Sequence, residues 1–161
     1  VVEISIPVLY YNKNQLFHGE EHKEEVIEEV NMHGQGFLLV ENEEQRESLT
    51  ASLLQVNGAV VYEASSGKMA MELLEKFNSG QITAVLMDKD LEDMKCYELA
   101  RQIRFHKDKL YGKLPILLML DGIEQEDNRL NMLSGINATI HKPMNLSKLL
   151  WMIENLQGKG V

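Results

Sequence analysis

The sequence predicts an α/β protein: a doubly wound, five-stranded parallel sheet with helices on both faces. Three observations carry this. Short apolar runs of strand length recur at 37–40, 59–63, 82–87, 115–120 and 137–141. Helical patterns of roughly ten residues stand between them. Most of the runs are apolar throughout instead of alternating, as strands covered on both faces must be, and their connections are short.

Each element follows in order. Phe37-Leu38-Leu39-Val40 is a short buried strand that ends at Glu41-Asn42. The spacing predicts a helix over 44–56, with Leu49, Leu53, Leu54 and Val56 on the inner side and Asn57-Gly58 as the stop. Ala59 to Glu63 is the second strand. Ser65-Ser66-Gly67 leads into a helix over 68–77, with Met69, Ala70, Leu73, Leu74 and Phe77 inward. The third strand, Ile82-Thr83-Ala84-Val85-Leu86-Met87, runs into Asp88. A loop to Met94 and a helix to about His106 follow, with Leu99, Ala100 and Ile103 apolar, and 107–113 is a polar link. The fourth strand spans 115–120, a helix is expected over 123–133, and the weaker fifth strand ends in His141. An amphipathic helix over 146–156 closes the pattern, and Trp151 on it is either core or interface.

Right-handed crossovers and five strands make the flavodoxin-like order 2-1-3-4-5 the natural choice. Its switch point lies between the first and third strands, whose carboxyl ends carry Glu41, Asn42 and Asp88. Asp90 stands two residues beyond, and the fifth strand brings His141-Lys142-Pro143 towards the same crevice. A carboxylate there can attack phosphorus or ligate Mg²⁺, and an ammonium beside carboxylates is the chemistry of holding a phosphoryl group. The plainer alternative is that Asp88 caps the next helix. The Lys142-Pro143 bond is open to either isomer.

Bulk properties bound the function. At 161 residues the chain suits one domain plus an appendage, and a 44% hydrophobic content supplies one sizeable core. A net charge of -9 argues against a general nucleic-acid binder. No apolar run approaches the ~20 residues of a membrane span, and no signal peptide is visible. The lone Cys96 excludes an intramolecular disulfide and fits a reducing compartment, so a cytoplasmic location is expected. The chain begins at Val1 and not Met, as expected of a piece of something longer.

Four motifs in order resemble the receiver domain of two-component signalling, over about 37–156. They are Leu39-Val40-Glu41-Asn42, Val85-Leu86-Met87-Asp88, Pro115-Ile116-Leu117-Leu118 and His141-Lys142-Pro143-Met144. The resemblance implies that Asp88 takes a phosphoryl group from a histidine of a kinase or histidine phosphotransfer protein. It implies Mg²⁺ as cofactor, with Glu41 and Asn42 at the acidic pair and Asp90 lending a backbone carbonyl. It also implies that Lys142 contacts the phosphoryl group.

The departures from that pattern are specific. Asn42 stands where the family usually has a metal-ligating Asp, so metal affinity should fall; Asp90 is a candidate for partial compensation. Leu120 replaces the Ser or Thr at the end of the fourth strand, and Asp121 follows where a small residue is usual. Thr139 replaces the aromatic switch residue, and Leu91-Glu92-Asp93-Met94-Lys95-Cys96 lacks the usual Pro and Gly. The expectation is a phosphoaccepting receiver with a weakened or differently coupled site. The alternative is a pseudo-receiver that docks onto a kinase or partner without phosphorylation. A flavodoxin-like enzyme ranks below both, because no phosphate-binding loop follows the first strand.

The expected organisation is an N-terminal segment and acidic linker over 1–34, a receiver over 35–157 and a frayed tail over 158–161. Val2-Glu3-Ile4-Ser5-Ile6-Pro7 reads as a short strand and looks like the closing strand of a kinase ATP-binding domain, so a receiver behind a kinase, as in hybrid kinases, stands against an unrelated leader. The stretch from Glu20 to Val30 reads as a solvated helix or linker. The five histidines, including His18 and His22, show no defensible metal-ligand spacing, and the methionines read as core filler.

Overall fold

A computed structural model of the chain describes residues 29–42, 48–78 and 80–159. The expected strand over 2–6, most of the charged stretch over 20–30, His18, His22 and the last two residues lie outside the described residues.

Five strands form one parallel sheet in the order β2-β1-β3-β4-β5: β1 (Gly36–Val40), β2 (Val60–Ala64), β3 (Ala84–Asp88), β4 (Ile116–Leu120) and β5 (Ala138–His141). The helices are α1 (Leu49–Val56), α2 (Gly67–Lys76), α3 (Cys96–Arg104), α4 (Asn128–Ser134) and α5 (Leu146–Lys159). The expected fold class and strand order are therefore what the structure has. The reason is visible in the strands: every residue of β1 and β4 is buried, which requires cover on both faces.

Successive side chains of a strand point to opposite faces, so the apolar runs divide into two cores. Leu38, Val40, Val85, Met87, Ile116 and Leu118 pack with Ala70 and Leu74 of α2 and Leu99 and Ile103 of α3. Phe37, Leu39, Leu86, Leu117 and Met119 pack on the other face with Leu54 of α1 and Leu149 and Ile153 of α5. Met32, ahead of β1, joins this second core, and its N–H bonds Asn57 O at 2.9 Å.

Several expectations need correction. Of the residues placed on the inner side of α1, only Leu54 is fully buried; Leu49 is 79% and Val56 85% exposed. The helix packs through Ala51 and Leu54, and Leu49, Leu53 and Val56 (i, i+4, i+7) fall on the opposite stripe. The helix begins only at Leu49, with Ser48 Oγ accepting from Ala51 N at 3.0 Å. In α2, Met69 faces out while Ala70 and Leu74 face in.

The helix expected from 123 starts at Asn128, because Asp127 caps it by accepting from Arg129 and Leu130 N–H, and Gly135 ends it at φ +89°. The residues before the cap have nothing to bury; Ile123 is 98% exposed. The polar link after α3 contains a 3₁₀ turn, Tyr111–Lys113. It buries Tyr111, whose hydroxyl donates to Phe77 O. Trp151, core or interface by its sequence pattern, is an exposed residue of α5.

Candidate functional site

The parallel register sets the site. Val40 pairs with Met87 across β1 and β3, so Glu41-Asn42 and Asp88 leave the sheet side by side at its carboxyl edge. Leu120 pairs with His141, and Lys142 N–H bonds Leu120 O at 2.9 Å, which sets the lysine stem two strands away from Asp88 on the same edge. Its side chain spans that gap. Lys142 Nζ lies 2.9 Å from Asp88 Oδ1 and 3.1 Å from Glu41 Oε2. The Lys142-Pro143 peptide, open to either isomer in the sequence, is cis.

The three ionic side chains are mostly withdrawn from solvent, at 17% exposure for each carboxylate and 21% for the lysine. Burial pushes the Asp88 carboxyl above its ordinary value, and the Lys142 ammonium and Asn42 N–H offset only part of that. Burial alone would lower the Lys142 pKa, but its bonds to Asp88 and Glu41 outweigh it and hold it above the ordinary lysine value. The lysine is thus held in its charged form beside a desolvated aspartate, a combination suited to nucleophilic work.

Asn42 contributes twice. Its N–H donates to Asp88 Oδ2 at 3.3 Å, and its side-chain amide donates to the Asp90 carbonyl. Asp90 turns its carboxylate to Lys95, in an exposed ion pair, and not to Asp88. The sequence-predicted residues Glu41, Asn42, Asp88 and Lys142 therefore meet at one spot, and Asp90 meets them through its carbonyl alone. Among the described residues no three His, Cys, Asp or Glu side chains gather as a metal cluster. The available donors are two carboxylates, the Asp90 carbonyl and a neutral amide, all hard oxygen ligands. They fit Mg²⁺ in kind, with less negative charge than a three-carboxylate site would supply.

Sequence reasoning missed three supporting residues. Ser48 donates its hydroxyl to Glu41 Oε1 while capping α1, so one side chain positions both the helix and the carboxylate. Asp93 accepts from Gly67 N–H at 2.8 Å and Lys68 N–H at 2.9 Å, fastening the loop after β3 to the start of α2. Lys89, next to Asp88, donates to Gln125 O at 2.8 Å. Ser48 carried a legible signal, a capping residue one position before a helical run; the other two are long-range contacts that no local pattern announces.

Comparisons with known proteins bear on the family and the fold. The family model described as response regulator receiver domain matches residues 37–154. The chain belongs to the response regulator receiver family. It is 30% identical over 119 residues to the aerobic respiration control sensor protein ArcB of Escherichia coli K12. That stretch is 73% of this chain but 14% of the sensor protein, so the chain spans only a small part of its relative's length.

Among solved structures it is similar to the receiver domain of sensor histidine kinase PA1611 of Pseudomonas aeruginosa, which was determined with magnesium in its active-site cleft. The TM-score is 0.63 at 25% identity, over 78% of this chain and 98% of that one. It shares its fold with chemotaxis response regulator CheY4 of Vibrio cholerae, at TM-score 0.62 and 20% identity over 76% and 98% of the two chains. It also shares it with the Ssk1 receiver domain solved with the phosphotransfer protein Ypd1 of Saccharomyces cerevisiae, at 0.62 and 23% over 77% and 89%. Among the described residues no helix is long and apolar enough to cross a membrane.

Proposed function

We propose that this receiver accepts a phosphoryl group on Asp88 from a phosphohistidine of a histidine kinase or phosphotransfer protein. The observation that carries the reading is the Lys142 ammonium bridging Asp88 and Glu41 at the sheet's switch point. An Asp88 oxygen attacks phosphorus, a P–O bond forms as the P–N bond breaks, and the imidazole leaves with the electron pair and takes a proton from solvent. The product is an acyl phosphate. Lys142, already on the carboxylate, follows one phosphoryl oxygen, and the Asn42 N–H stays within reach of the same group. Mg²⁺, when bound, neutralises phosphoryl charge; Glu41, Asp88 and the Asp90 carbonyl would hold it, with Asn42 adding a neutral oxygen at most.

The similarity to a sensor protein and to a histidine kinase's receiver supports placing the domain in a hybrid kinase, and the single cysteine fits the reducing cytoplasm. A second reading, a pseudo-receiver that docks without phosphorylation, is favoured by one observation: the Asn42 amide already occupies the Asp90 carbonyl.

Incubation with Mg²⁺ and acetyl phosphate, followed by intact mass, separates the two. The proposal expects one added phosphoryl group that is lost in Asp88→Asn and in a chelated sample. If no adduct forms with acetyl phosphate or with a phosphorylated phosphotransfer protein, and beryllofluoride leaves the amide spectrum unchanged, the pseudo-receiver reading replaces it.

A further inference from the structure

A phosphoryl group on Asp88 would bring three acceptor oxygens and up to two negative charges. The donors already at that carboxylate are Lys142 Nζ and the Asn42 N–H. At the end of β4, Leu120 is buried in the core and offers no hydroxyl. One further cation starts from the neighbouring residue. Lys89 follows Asp88 directly, and its ammonium forms no ion pair among the described residues. It ends instead on a neutral backbone carbonyl, Gln125 O, at 2.8 Å.

That bond has a particular place in the fold. Residues 121–126, between β4 and α4, are all exposed and carry Asp121, Glu124 and Glu126. Their other hydrogen bonds are internal: Glu124 N–H to Asp121 O at 2.8 Å and Asp121 N–H to Glu124 Oε2 at 3.1 Å. Among the described residues, Lys89 to Gln125 is the one hydrogen bond tying this loop to the rest of the molecule. The ammonium already makes a charge-assisted bond to that neutral carbonyl, and it gains by moving to a dianion because the acceptor's opposite charge adds Coulomb attraction to the bond.

We propose that Lys89 is a second phosphoryl-binding ammonium whose capture by phospho-Asp88 releases the 121–126 loop. Resting on the phosphoacceptor reading above, this gives the site a coupling route that needs no hydroxyl on β4 and no aromatic residue on β5. In the resting state Lys89 holds the loop through Gln125 O. In the phosphorylated state it turns to the phosphoryl oxygens, and the acidic loop, now untied and repelled by the new charge, changes its average position.

The test follows backbone amide resonances during titration with beryllofluoride and Mg²⁺, in the wild type, Lys89→Met and Lys89→Arg. In the wild type, the amides of 121–126 are expected to shift as the site fills. In Lys89→Met they sit displaced before any ligand is added and move little further, and beryllofluoride binds about tenfold more weakly. Lys89→Arg restores both the affinity and the shift. A wild-type loop that stays still while Asp88 binds the ligand overturns the inference, as does Lys89→Met with wild-type affinity and loop response. Absence of any binding by the wild type overturns the role of Lys89; the phosphoacceptor reading itself falls with it only if Asp88 also takes no phosphoryl group in the mass measurement, a separate result.

Discussion

At the level of single residues, Asn42 decides how the acidic pocket behaves. An aspartate there would bring a charge and could not donate to the Asp90 carbonyl, whereas the amide removes the charge and ties that carbonyl up. Asn42→Asp is therefore expected to raise Mg²⁺ affinity about tenfold, roughly the worth of one charged ligand contact, as read by calorimetric titration. An unchanged affinity would show that the carbonyl and the added charge do not reach the metal. Glu41 shows the same economy of support. One of its oxygens faces Lys142 and the other takes the Ser48 hydroxyl, so its orientation is fixed before any ligand arrives.

Among the elements, β1 has a start held tightly against its neighbour. A Cβ on Gly36 would stand 1.9 Å from Gln81 O, a backbone atom that cannot swing aside. Gly36→Ala should cost about 1–3 kcal/mol in urea unfolding, by forcing β1 away from the segment that enters β3. Equal stability would mean the two backbones part easily. Since β1 carries Glu41 and Asn42 at its other end, the same substitution should also loosen the site. Helix α1 shows how a short element can mislead a period count: Leu49, Leu53 and Val56 make a clean apolar stripe, yet Ala51 and Leu54 are the residues against the sheet.

For the whole molecule, two features set stability and its pH dependence. Arg104 of α3 reaches across the sheet's rim, donating to Gly112 O at 3.0 Å, Leu114 O at 2.7 Å, Gly135 O at 2.6 Å and Asn137 Oδ1 at 2.7 Å. It thereby joins α3, the 3₁₀ turn, the end of α4 and the entry to β5. Arg104→Met takes this donor from the Gly112, Leu114 and Gly135 carbonyls, while Asn137 Oδ1 keeps the Ile116 N–H at 2.8 Å, and should cost about 2–4 kcal/mol, read as a lower urea midpoint at unchanged slope.

The pH dependence follows from Asp88, whose folded pKa lies above the ordinary 3.8 because of burial. The folded state then holds that proton more tightly than the unfolded chain. Asp88's contribution to stability is fully present below 3.8 and is lost as pH rises through the folded value. Relative to wild type, Asp88→Asn should therefore gain stability as pH rises from 3.8 towards neutrality, in denaturant titrations at several pH values. Phosphoryl acceptance has the opposite slope. The nucleophile must be ionised, so the initial rate of labelling by acetyl phosphate should fall on acidification, starting at a higher pH than an ordinary carboxylate would show.

The central strand runs, their order in the chain and the acids at their ends were legible because burial on both faces leaves no polar residue inside β1 or β4, and a polar residue then marks where the sheet stops. Those local facts placed Glu41, Asn42, Asp88 and Lys142 together through topology alone. What the tertiary structure decided is which partner each polar group takes. Asp90 faces Lys95 and not the pocket, Asn42 binds the Asp90 carbonyl, and Lys89 reaches Gln125. Which stripe of α1 meets the sheet was also decided there, as was the start of α4 at Asp127. Periodicity and spacing are properties of neighbours in sequence, whereas a hydrogen bond between residues 36 apart, such as Lys89 to Gln125, exists only once the sheet has brought two loops to one edge.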